Sequence, residues 1–122
     1  MNRHVYRVKV VTSLYRHLLL NRNLSDCFAE DFRNDDNEFF TTLRDDLLAH
    51  KDTYIAAIEP LLNKWEFSRL SYMDQAILLL AASEIKTGIN DKRIAIDEAI
   101  RIAKEYSDED SYKYINGVLD QL

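Results

Sequence analysis

Residues 71–88 read SYMDQAILLLAASEIKTG, and the run from Ala76 to Ala82 inside them decides the fold. Ser71 followed three residues later by Asp74 is a capping-box pattern that opens a helix, and Gly88 is a residue suited to closing one. Between these signals the run AILLLAA is apolar all round. A short helix with no polar face belongs at the centre of a bundle, surrounded by other helices. The run is also far short of the roughly 20 residues that cross a bilayer, so no membrane span is read.

The surrounding sequence supplies those other helices. The chain has 122 residues with only 2 glycines and 1 proline, too few backbone breakers for the turns of an all-β fold. From Val5 to Leu20, Val8, Val11, Tyr15, Leu18 and Leu19 recur at helical spacing, with Lys9, Thr12, Ser13 and Arg16 toward solvent. Arg3 and Arg7 fall nearer the apolar side. They stay hydrated only if the first turn overhangs the bundle, which predicts an exposed cluster of Arg3, His4 and Arg7. Ser25 reads as the N-cap of a short helix reaching Phe32, with Cys27 as a small core residue. After a polar connection at 33–38, Phe40, Leu43, Leu47, Tyr54, Ile58, Leu61 and Leu62 mark a long helical stretch that Pro60 kinks or divides. Residues 93–106 place Ile96, Ala99, Ile100 and Ala103 inward and leave Asp97, Arg101 and Glu105 to pair outside. Ser107 to Asp110 offers a second capping box, opening a last helix with the stripe Tyr112, Ile115, Leu119 and Leu122. Gly117 costs that helix about 1 kcal/mol relative to alanine, which predicts a close approach to the backbone there. The expectation is a single all-α domain over residues 1–122, a compact bundle of about six to seven helices.

Charge and chemistry narrow the function. The net charge is -5, yet residues 1–25 carry Arg3, Arg7, Lys9, Arg16 and Arg22 with no acid, a basic end on an acidic body. That end is either a solvated helix face or an anion-binding arm. His4, His17 and His50 show no i,i+4 pairing and Cys27 has no Cys-x-x-Cys partner, so no metal site is expected. Glycines only at 88 and 117 exclude the glycine-rich phosphate loops, and with them a nucleotide cofactor. Carboxylates in Asp35-Asp36 and Asp108-Glu109-Asp110 fit solvation and capping better than acid/base chemistry. No catalytic residue and no cofactor is therefore expected. The start of the chain lacks a secretory signal pattern, so a cytoplasmic protein is expected.

The segment AIDEAIRIAKEYSDEDSYKYINGVLDQL at 95–122 resembles the closing signature of the NusB family of bacterial transcription antitermination factors. RLSYMDQAILLLAASEI at 69–85 is similar to that family's central buried helix, and RHVYRVKVVTSLY at 3–15 to its arginine-rich start and Leu-Tyr pair. The resemblance implies two small helical sub-bundles that bind the boxA element of ribosomal RNA leaders together with NusE, a ribosomal small-subunit protein. It implies membership of the antitermination complex with RNA polymerase. It assigns Arg3, His4 and Arg7 to the arginine-rich motif, where Val5 stands at a commonly basic position and His4 replaces an arginine. Lys113 and Tyr114, with Asp110 beside them, match positions at the RNA surface. Tyr15 and Asp74 match positions on the NusE-facing side.

The residues themselves support part of this. On the last helix Asp110, Lys113, Tyr114 and Gly117 share a face away from Ile115 and Leu119, offering an aromatic plane and a cation suited to single-stranded RNA. Asp110 is also expected to cap that helix with Ser107. Arg3, His4, Arg7, Lys113 and Tyr114 are thus expected to meet in one patch. Two rival functions stay open. One is a helical adaptor whose acidic body binds a basic ribosomal protein with little or no RNA. The other is the NusB-like domain of a ribosomal RNA cytosine methyltransferase, although Leu122 directly after the signature suits a stand-alone protein.

Overall fold

A computed structural model describes residues 1–63 and 65–122, and among these residues all regular structure is helical. Six α-helices follow one another: α1 Arg3–Leu20, α2 Leu24–Asp31, α3 Glu38–Ile58, α4 Tyr72–Thr87, α5 Lys92–Tyr106 and α6 Ser111–Gln121. Two 3-10 turns, Glu59–Leu61 and Phe67–Arg69, lie between α3 and α4. None of the described helices is long and apolar enough to cross a membrane.

Every residue of α4 from Asp74 to Glu84 is buried. It packs against α1 and α3 on one side and α5 and α6 on the other, while α2 closes onto α1 and α3. The two sub-bundles therefore share α4 as their common wall. This is the arrangement an all-apolar helix demands, since each of its faces needs a neighbour. The core that results draws on all six helices, with Leu14, Phe28, Leu47, Leu78, Ile102 and Ile115 among its fully buried side chains.

The helix boundaries follow local chemistry, with three corrections to the expected signals. Ser71 caps α4 by accepting from the Asp74 N–H at 3.1 Å, and Gly88 ends it at φ 68°. Pro60 divides the long stretch, ending α3 at Ile58 and opening a 3-10 turn, because its ring nitrogen has no hydrogen to donate. The cap of α2 is Asn23, not Ser25: its side chain accepts from the Asp26 N–H at 3.1 Å. Ser107 does not open the last helix either. It ends α5, and α6 starts at Ser111 with Asp110 in the cap position but making no side-chain cap bond. At Gly117 an added Cβ would meet nothing within 4 Å among the described residues, which show no close approach there.

The face of α1 is also turned from its expected setting. Tyr6, Arg7, Val10, Val11 and Leu14 are buried, Val8, Tyr15 and Leu18 are half-buried, and Leu19 is exposed. Ser13, expected in solvent, is buried and donates to Asp31 at 2.5 Å. Carboxylates on other elements draw Arg7 and Ser13 inward, and a helical wheel holds no information about them.

Candidate nucleic-acid interface

Of the eight residues singled out in the sequence, all but Tyr15 gather toward the two ends of α4. At its C-terminal end lies the start of α1. Arg7 is 3% exposed, and its Nε and Nη2 donate to the Glu84 carboxylate at 2.8 to 3.1 Å. Glu84 itself is 1% exposed and also accepts from Asn90 Nδ2 at 2.6 Å. The placement of Arg7 near the apolar side was correct, but its escape to solvent was not. A fork of guanidinium donors on a buried carboxylate satisfies both charges inside the protein.

Arg3 stays exposed, donating from Nη1 to Asn90 Oδ1 at 2.7 Å and lying 4.6 Å from the centre of the Phe39 ring. Arg7 lies 5.1 Å from the same ring. His4 is half-buried between two carboxylates, Nδ1 3.5 Å from Glu98 and Nε2 3.7 Å from Glu105. The expected exposed triad is therefore a single exposed arginine with two committed neighbours.

Arg16 and Arg22 are neutralised in a similar way. Arg16 reaches Asp31 at 2.5 Å and Glu30 at 3.0 Å, and Arg22 also pairs with Glu30. The Arg22 guanidinium holds the Glu30 carboxyl below its ordinary range. Lys9 lies 4.7 Å from the Phe32 ring. Among the described residues, only Arg3 and Lys9 of the five N-terminal cations lack a carboxylate partner. Charge segregated along the chain is thus paired in space.

At the N-terminal end of α4 the second group assembles. Asp74 is 4% exposed, and its carboxylate accepts the hydroxyls of Ser107, Ser111 and Tyr114. Asp74, which the resemblance assigned to the NusE-facing side, is thus a buried hydrogen-bond acceptor. Tyr114 is half-buried. Loss of solvent, and then the hydrogen bond to Asp74, push its phenol well above the ordinary range. Lys113 is exposed and 3.3 Å from Asp110, which is exposed as well. Asp110 is thus a surface partner of Lys113 rather than a helix cap. Tyr15 packs half-buried against the core.

Asp74 and Glu84, the buried anchors of the two groups, stand about 15 Å apart along α4 at about 1.5 Å per residue, and His4 reaches back toward the Asp74 end through Glu105, two residues before Ser107. Beside Tyr114 runs a half-open groove of about 580 Å³ between residues 61–63 and 65–71 on one side and α6 on the other. Leu62, Trp65, Leu70, Tyr114, Gly117 and Val118 are among the residues lining it, and Trp65 is 62% exposed.

A family model described as the NusB family matches residues 4–122. The chain belongs to the NusB family. The transcription antitermination protein NusB of Sulfurimonas denitrificans is 37% identical over 125 aligned positions, taking in 98% of this chain and 95% of that protein. NusB of T. maritima superposes with a TM-score of 0.87 at 28% identity, covering 99% of this chain and 89% of that one. A structure of the antitermination factors NusB and NusE in complex with dsRNA matches at TM-score 0.83 and 26% identity, covering 99% of this chain and 96% of that chain.

Within this NusB-family fold, the residues that sequence reasoning missed are the partners: Glu84, Asn90 and Glu98 at one end, Ser107 and Ser111 at the other. One of them carried a signal. Glu84 is a carboxylate in a helix read as surrounded on all sides, and such a group requires a buried cation or several donors. Ser107 carried a misleading one, since its capping-box spacing is genuine while its hydroxyl goes to Asp74.

Proposed function

We propose that this chain is a non-catalytic transcription antitermination factor, acting in the cytoplasm as one domain over residues 1–122. Its ligand is the boxA element of ribosomal RNA leader transcripts, bound together with NusE within the antitermination complex on RNA polymerase. The observation that carries the reading is the full-length likeness to a NusB chain in a structure containing NusE and dsRNA. Arg3 and His4 at one end of α4, and Lys113 and Tyr114 at the other, are the RNA contacts. Asp110 stands beside Lys113 and moderates its charge. Arg7 supports the first cluster from within. Tyr15 marks the side of α1 that faces NusE, and Asp74 contributes there only from beneath the surface.

The test is titration of boxA RNA onto the chain at several salt concentrations, with and without NusE. RNA should bind more tightly to the pair than to either protein alone, and RNA should raise the affinity of the pair for each other by the same factor. A second reading, a protein adaptor with little RNA affinity, draws on one observation: the arginine-rich start retains only Arg3 in the open, with His4 hemmed by Glu98 and Glu105. NusE affinity unchanged by RNA would favour the adaptor.

A further inference from the structure

A carboxylate removed from water must be met by a cation or by several hydrogen-bond donors. Three hydroxyls converge on Asp74: Ser107 on Oδ1, and Ser111 at 3.1 Å together with Tyr114 on Oδ2. Their origins differ. Ser107 ends α5, Ser111 is the first residue of α6, and Tyr114 lies one turn further on the same face of α6. The acceptor belongs to the first turn of α4. One carboxylate therefore ties together the end of α5, the start of α6 and the Tyr114 ring. Lys113 lies between Ser111 and Tyr114 in the same turn, exposed and 3.3 Å from Asp110. The ring lies along the groove near Gly117, where an added Cβ would meet no atom of the described residues within 4 Å.

We propose that Asp74 is a positioning residue for the RNA surface: by gathering the hydroxyls of Ser107, Ser111 and Tyr114, it holds the Tyr114 ring and the Lys113 turn in the orientation that meets RNA, without touching RNA itself. The inference rests on the reading of Tyr114 and Lys113 as RNA contacts. It gives Asp74 an internal role in place of the surface contact expected from its motif position. A ring pinned before binding loses no freedom when a base stacks on it, whereas an unpinned ring is competent for only part of the time.

The test separates the ring from its hydroxyl. Tyr114→Phe keeps the aromatic plane and removes the donor to Asp74; Tyr114→Ala removes both; Asp74→Asn and Ser111→Ala loosen the assembly from the other side. Affinity is read by titrating single-stranded boxA RNA onto the full chain with NusE present, well below each variant's melting temperature. The lone tryptophan, Trp65, lines the same groove and reports local order through acrylamide quenching. If the competent orientation falls to between about a third and a tenth of the population, Tyr114→Phe and Asp74→Asn weaken RNA binding about three- to tenfold. The salt slope stays unchanged and Trp65 quenching increases. A merely destabilised variant would melt earlier with its affinity intact. Tyr114→Phe and Ser111→Ala binding like wild type, while Tyr114→Ala loses affinity, overturns the positioning role and leaves the RNA reading standing. Tyr114→Ala binding like wild type overturns both. Should Asp74→Asn not fold, Tyr114→Phe decides alone.

Discussion

At the last turns of α4 Glu84 is buried against the guanidinium of Arg7, whereas at the first turn Asp74 is buried against three hydroxyls. Both carboxylates are almost wholly out of water, yet the consequences of disturbing them differ. The Glu84 end leans chiefly on one cation, and losing it strands a charge in the core. The Asp74 end spreads its load over three neutral donors from α5 and α6, so each loss is partial. The ion pair locks α1 to α4 while consuming an arginine that a basic motif would offer to an anion. The hydroxyl cluster consumes no cation and leaves Lys113 at the surface.

The sharpest way to break this comparison is at Arg7. Arg7→Met should cost about 3–5 kcal/mol in a urea melt, because Glu84 is left charged and buried. Adding Glu84→Gln should recover part of that loss, since the amide keeps an acceptor for Asn90 without the charge. A cost below about 1 kcal/mol would place Arg7 among ordinary surface ion pairs.

The Asp74 end should instead show itself at alkaline pH. Burial and the hydrogen bond to Asp74 raise the folded-state pKa of Tyr114, so the folded chain holds the phenolic proton more tightly than the unfolded chain does. The stability this contributes is complete below about pH 10, the unfolded value, and is lost as pH rises toward the folded one. Tyr54, raised by burial and by its hydrogen bond to Asp46, acts in the same direction. Thermal melts from pH 8 to pH 11 should therefore fall in wild type, and Tyr114→Phe should flatten part of the fall. An unaltered profile would separate Tyr114 from Asp74.

A smaller effect is expected at Gly117, on the same face of α6. Gly117→Ala should stabilise the chain by up to about 1 kcal/mol, since alanine is the better helix former and its Cβ meets nothing within 4 Å among the described residues. A lower melting temperature would show that the groove wall is tighter than its geometry indicates.

The smallest effect is electrostatic. Arg3→Ala and Lys113→Ala should each reduce the salt slope of RNA binding by about 0.7, which amounts to about a two- to threefold affinity difference across a fourfold change in salt. Arg7→Met should leave the slope unchanged while lowering the melting temperature, because its charge is already neutralised by Glu84. A reduced slope for Arg7→Met would place that guanidinium on RNA.

What the amino-acid sequence determined by itself is whatever depends on neighbours in the chain. The run Ala76–Ala82 could only be central, because no rotation of that helix presents water with a polar face. Ser71 and Gly88 bounded it by local geometry, and Pro60 ended α3 for want of an N–H. The helical wheel likewise put Arg7 on the inward side of α1. The dense motif at 95–122, with the likeness at 3–15 and 69–85, carried the family, and with it the assignment of the eight positions.

Only the tertiary structure decided what those positions do. Arg7 meets Glu84 across 77 residues of chain, and a pair so far apart leaves no periodic trace. Ser25 has the chemistry of a cap, yet Asn23, two residues earlier, takes that place at the start of α2. Ser107 had the spacing of a cap, but Asp74, buried on α4, offered its hydroxyl a charged acceptor instead. A hydrogen bond to a buried carboxylate outweighs a solvated cap, and nothing within four residues of Ser107 could announce that it was there.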